Sequence, residues 1–128
     1  MIKLEDYIPE EFQFSYFSSI PIYTVNFKNG YLIFSNGYSL NNYYGNEVKA
    51  ELGIEDWIYL FKHLDRLKIW DWRKKYNSRT VIYDGVNWYL NIKMRNKIIE
   101  SSGKDAYPKN FDELLNLFYY FENKYKTS

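Results

Sequence analysis

Two dipeptides, Asn29-Gly30 and Asp84-Gly85, constrain the fold of this chain more tightly than any other feature. Such pairs accept the positive φ angles of a two-residue hairpin turn, and both sit between runs that alternate apolar and polar residues. A turn at Asn29-Gly30 sets Lys28 opposite Tyr31, Phe27 opposite Leu32 and Val25 opposite Phe34. Tyr23, Val25, Phe27, Leu32 and Phe34 then share one face, so turn and alternation agree on the register. A turn at Asp84-Gly85 sets Tyr83 opposite Val86 and Val81 opposite Trp88. It gathers Val81, Tyr83, Val86, Trp88, Leu90, Ile92 and Met94 on one face, with Asn87, Tyr89, Asn91, Lys93 and Arg95 on the other.

The flanking segments extend both hairpins. Residues 11–18 alternate Phe12, Phe14 and Tyr16 with Gln13 and Ser15, a half-buried strand that Ile20-Pro21 interrupts. Asn96-Lys97 predicts a further turn, with Ile99 across from Met94 and Glu100 across from Lys93 as a cross-strand charge pair. Residues 38–49 lack a period and read as a loop, and residues 69–78 read as irregular.

Two segments change period from two to 3.6. Over 54–68, Trp57, Ile58, Leu60, Phe61, Leu64 and Leu67 form an apolar stripe. Glu55 and Asp56 at its start and Arg66 and Lys68 at its end suit the helix dipole. The last helix opens at Asn110, with Glu113 three residues on as a capping-box variant. Its stripe is Phe111, Leu114, Leu115, Phe118, Phe121 and Tyr125. The order three strands, helix, three strands, helix predicts one α+β domain over residues 1–128. Its sheet of about six strands is largely antiparallel, with both helices on one face.

Composition narrows the chemistry. A chain of 128 residues is long enough to bury a core without cross-links, and it has no cysteine and one histidine, His63. Thiol nucleophiles, thiolate metal sites and multi-histidine sites are therefore excluded, and no cofactor or metal is expected. No phosphate-cradling glycine loop or nucleophile elbow occurs, and no residue is singled out as catalytic. His63 flanks the helix stripe without a sequence-marked partner for general-base work. The acidic start MIKLEDYIPEE lacks an apolar stretch, and no long apolar run exists, so a cytoplasmic protein without membrane attachment is expected.

From residue 52 to 122 the punctuation of the chain forms a pattern. A leucine-spaced helix precedes Ile69-Trp70-Asp71. Asp84-Gly85 follows with Trp88, Leu90 and Ile92, then Ser102-Gly103, Tyr107-Pro108 and Asn110-Phe111. This resembles a loose family of small bacterial and phage-type domains that end in a DG hairpin, an S-G strand end and a Y-P-x-N-[FY] helix start. The resemblance covers just over half of the chain and implies a fold, with no catalytic residue to carry over. It implies a kinship with small inhibitor and immunity-like proteins.

Two segments are candidates for binding. The loop around Tyr38, Asn41, Asn42, Tyr43 and Tyr44 has the composition of a recognition loop, because tyrosine offers contact area at low entropy cost. Fifteen tyrosines and thirteen asparagines occur in the chain, a bias that AT-rich coding alone also produces. The overall net charge is +1, but residues 66–97 carry nine bases against two acids. Arg73, Lys74, Lys75 and Arg79 follow Trp70 and Trp72, and Lys93, Arg95 and Lys97 extend the basic series. The expected function is a non-catalytic protein-binding module of inhibitor or immunity type, such as a phage anti-defence (anti-CRISPR) or toxin-immunity protein. The alternative is a single-stranded nucleic-acid or nucleotide-binding domain using the basic-aromatic segment 66–97. A second alternative is a small hydrolase whose site the sequence does not display.

Overall fold

The computed structural model describes residues 3–18, 21–36, 46–78 and 85–126. A seven-stranded sheet carries two helices in an α+β arrangement. The strands are β1 (Glu11–Phe17), β2 (Pro21–Lys28), β3 (Tyr31–Asn36), β4 (Asn46–Ala50), β5 (Lys75–Asn77), β6 (Asn87–Lys93) and β7 (Ile98–Lys104). The helices are α1 (Ile54–Arg66) and α2 (Phe111–Tyr125). The spatial order is β4-β3-β2-β1-β6-β7-β5, antiparallel throughout except for β5 beside β7.

The first hairpin forms in the expected register: Lys28 faces Tyr31, Phe27 faces Leu32 and Val25 faces Phe34. Asn29 and Gly30 take φ values of 54° and 85°, the left-handed pair that a two-residue turn of matching twist requires. Phe12, Phe14, Tyr23, Val25, Leu32, Phe34, Leu90 and Ile92 of the sheet are buried beneath Leu60, Leu64, Leu114, Phe118 and Phe121 of the helices. Phe118 is central, with ring centroids 5.9 Å from Phe12 and 5.2 Å from Phe14.

Several expectations are corrected. Among the described residues four strands precede α1, one more than expected, and three follow it. Residues 46–49, expected within a loop, belong to β4, where Val48 and Ala50 turn inward beside β3. Residues 75–77, expected to be irregular, form β5. The two edges of β6 are filled by β1 and β7, so Trp88 faces Tyr16 on one side and Gly103 on the other. Asp84 of the expected turn lies outside the described residues, with Val81 and Tyr83 before it, as does Arg79.

Gly85 also answers to a different need. Among the described glycines only Gly30 has a positive φ. A Cβ on Gly85 would lie 1.9 Å from Asp105 Oδ2, so this glycine makes room for a carboxylate. Asp105 Oδ1 accepts from Val86 N–H at 2.9 Å, and Asp105 N–H donates to the Val86 carbonyl at 2.9 Å.

The β6–β7 turn falls at Arg95-Asn96, closed by Met94 N–H donating to the Lys97 carbonyl at 2.7 Å. Glu100 therefore faces Asn91, and Ile99 faces Ile92. The slip is two residues, so every side chain keeps its expected face. Asn110 precedes α2 as expected, but its side chain makes no cap there. It donates instead to the Leu67 carbonyl at 3.1 Å, satisfying the C-terminal end of α1.

Candidate functional site

The helices cover one face of the sheet and leave two surfaces that present organised side chains. The first lies on the helix layer. Tyr59 and His63 are one turn apart on α1 and project away from the buried stripe of Trp57, Leu60, Phe61 and Leu64. Their rings stack at 4.1 Å with a 29° interplanar angle, and Tyr120 of α2 also stacks on Tyr59, at 5.3 Å and 26°. His63 Nδ1 donates to the Tyr59 carbonyl at 2.9 Å, since the carbonyl can only accept. Tyr59 is 39% exposed and Tyr120 45%. Beside the stack runs a groove of about 330 Å³, floored by Leu67 and Leu117 and rimmed by Arg66, Glu113 and Asn116.

The second surface is the uncovered face of the sheet, at its β5 end. Here the register brings Lys75 opposite Ser102, Ser102 opposite Tyr89, Asn77 opposite Lys104, and Lys104 opposite Asn87. With Phe17 these side chains line a shallow cavity of about 330 Å³. Local bonds fix β5 in place. Arg73 N–H donates to Tyr76 Oη at 3.0 Å, Ser101 Oγ donates to the Arg73 carbonyl at 2.5 Å, and Ser102 N–H donates to the Lys74 carbonyl at 3.0 Å. The Arg73 guanidinium lies 4.6 Å from the centre of the Tyr76 ring. Burial, with the nearby Glu100 and Glu11, holds the Tyr89 phenol above its usual range, so it stays neutral at physiological pH.

The expected basic series is divided by the fold. Lys93 pairs with Glu10 at 3.6 Å, Arg95 with Glu5 at 3.1 Å and Asp6 at 3.8 Å, and Lys97 with Asp65 at 3.2 Å. Lys97 also lies over the Trp70 ring, whose Nε1 donates to Asp65 at 2.5 Å. Exposed pairs of this kind add little stability, but they cancel the charge locally. Among the described residues no carboxylate lies within ion-pair distance of Arg73, Lys74, Lys75 or Lys104. The two groups sit at opposite ends of β6 and β7, separated by about six residues or roughly 20 Å of strand.

Trp70 and Trp72 pack against the core, with Trp72 edge-on to Trp88 at 5.8 Å. Tyr38, Asn41, Asn42, Tyr43 and Tyr44 lie outside the described residues. Lys104 and Phe17 were not singled out by the sequence, nor were Tyr59 and Tyr120. The signal for Tyr59 was its position one turn before His63, off the apolar stripe.

Among the described residues no group of three His, Cys, Asp or Glu side chains could hold a metal ion, and no helix is long and apolar enough to cross a membrane. Compared with known proteins, the chain matches no family model and no curated protein.

Proposed function

We propose that this chain is a protein-binding module that acts by surface contact, in the manner of small inhibitor and immunity proteins, and that the helix layer makes the contact. The observation that carries this reading is the solvent-facing stack of His63, Tyr59 and Tyr120 beside an apolar-floored groove. Aromatic rings at the centre with charged and amide groups at the rim reproduce the anatomy of an interface whose energy is concentrated in a few anchors. The rings are already stacked on one another, so ordering them on binding costs less than immobilising free side chains. The tyrosine-rich segment at 38–44 offers a second contact region of the same chemistry.

The test begins with a photo-reactive phenylalanine analogue in place of Asn116, at the groove rim, and at Lys28 on the far side as control. Expression in the source cell should give one protein adduct from position 116 and none from position 28. The adduct's purified partner should bind the wild-type chain and lose about thirtyfold in affinity to Tyr59→Ala/Tyr120→Ala, as about 2 kcal/mol of anchor energy requires. The double variant should keep its melting temperature within about 2 °C, a shift below 1 kcal/mol. Unchanged affinity in that variant refutes the assignment.

A further inference from the structure

We propose that the β5 end of the open sheet face binds single-stranded nucleic acid, independently of the helix-layer contact. Three features of the surface converge on this ligand.

The first is charge. Lys75 and Lys104 stand on the same face of adjacent strands, two residues out of register, with Arg73 and Lys74 on the segment leading in. On a sheet lattice that offset places their Cα atoms roughly 8 Å apart. Their flexible side chains can meet at one phosphate or span two in succession. Among the described residues, Glu100 and Glu11 on this face lie beyond Tyr89 towards the other end of the strands.

The second is the aromatic pair. Phe17 and Tyr89 are half-buried on the same face and border the cavity that Lys75 and Lys104 enclose. A base stacks on such rings whatever its identity, and cations beside them hold the backbone. The third is the polar supply. Asn77, Asn87 and Ser102 place amide and hydroxyl groups between rings and lysines, where they can meet base edges or sugar oxygens.

An acidic protein surface would satisfy the lysines but not the ring-and-amide floor, so nucleic acid fits the whole set better. Duplex fits worse, since its bases are stacked inside and cannot reach Phe17 or Tyr89.

The probe is a fluorescein-labelled oligothymidylate of about twelve nucleotides, titrated with the full chain and followed by anisotropy. Binding should be micromolar at about 50 mM salt and should weaken on a log–log salt plot with a slope near −0.7 per phosphate contacted. Lys75→Gln/Lys104→Gln should weaken binding at least tenfold and flatten the slope by about 1.4, as the loss of two contacts demands. Tyr89→Ala should weaken binding about fivefold or more without changing the slope, since a lost stack costs about 1–3 kcal/mol and no counterions. Lys93→Gln/Lys97→Gln, which removes the already paired lysines, should bind as wild type does.

Three results would overturn the proposal: no anisotropy change up to about 100 µM, the weak limit of non-specific binding; undiminished binding by Lys75→Gln/Lys104→Gln; or equal affinity for polyglutamate or a hairpin duplex. All five substituted positions are accessible to solvent, and a melting curve for each variant establishes that the fold is intact.

Discussion

Gly103→Ala isolates one close approach in the core. Gly103 faces Trp88 across the β6–β7 ladder. A Cβ placed on it would lie 2.4 Å from the Ala106 carbonyl oxygen and 2.4 Å from Trp88 Nε1. Ordinary contact would require each of the two to retreat by about 1 Å. Neither can do so cheaply. The carbonyl belongs to the backbone just after Asp105, which is tied to Val86, and Trp88 is 1% exposed among Phe111 at 5.1 Å, Trp72 at 5.8 Å and Tyr76 at 5.8 Å. The indole N–H also donates to that same carbonyl at 2.9 Å, so separating the pair breaks a hydrogen bond. Overpacking of about 1–3 kcal/mol and a lost bond of about 1 kcal/mol give a destabilisation of about 2–4 kcal/mol. At about 4 °C per kcal/mol for a chain of this length, the midpoint should fall by roughly 8–16 °C. Urea unfolding followed by tryptophan fluorescence reads the free energy, and thermal circular dichroism reads the midpoint. A loss below about 0.5 kcal/mol, with unchanged emission, would show that strand and loop yield freely there and that the packing argument is wrong.

Three further outcomes follow from other sites. Glu122 is buried at 5% exposure and accepts from Tyr23 Oη at 3.1 Å, so Tyr23→Phe should cost about 1–3 kcal/mol in urea unfolding by stranding the carboxyl group. At Asp56, burial pulls the carboxyl upward, but hydrogen bonds from Lys124 and Tyr125 outweigh it and hold the group below its usual range. The unfolded chain therefore takes up that proton first, and stability present above about pH 4 should be lost as pH falls. Asp56→Asn should flatten that acid limb of the stability curve, and an unaltered limb counts against the pairing. Gly53 starts α1 in an extended conformation without a side-chain cap, and no neighbour lies within 4 Å of an added Cβ. Gly53→Ser should thus stabilise by about 0.5–1 kcal/mol, through a cap and a less mobile unfolded chain; a loss in the same melt would refute this.

What the sequence revealed depended on how far apart the interacting residues lie. The β2–β3 hairpin was legible because its turn and alternation fall within one short stretch from Tyr23 to Phe34. The β6–β7 turn was misplaced, yet face assignment survived because a two-residue slip preserves the pleat. β5 was invisible, since three residues with only Tyr76 inward have no period, and its position depends on bonds to β7. At Gly85 nothing in the sequence signals a second demand, the room this glycine leaves for the carboxylate of Asp105, 20 positions on. In the candidate surfaces, a count of bases over residues 66–97 could not show that Glu5, Asp6 and Glu10, from the far end of the chain, neutralise Arg95 and Lys93, or that Asp65 neutralises Lys97. Nor could it bring Lys104 to Lys75, or Tyr120 to Tyr59, because each meeting is made by tertiary packing.

The central seam between β1 and β6 sets a timetable for the nascent chain. Phe17 pairs with Asn87, a partner 70 positions later, so β1 can bond on its β2 side long before its other edge has a mate. At about 5–20 residues per second, the ribosome leaves that edge bare for roughly 4–14 s. A bare strand whose inward side is Phe12 and Phe14 is a template for the wrong neighbour, and only polar Glu11, Gln13 and Ser15 on the alternate positions discourage one. Yield in the cell should therefore be more sensitive to apolar changes at Gln13 and Ser15 than the stability of the finished protein is. Slower translation past residue 17 should enlarge that gap.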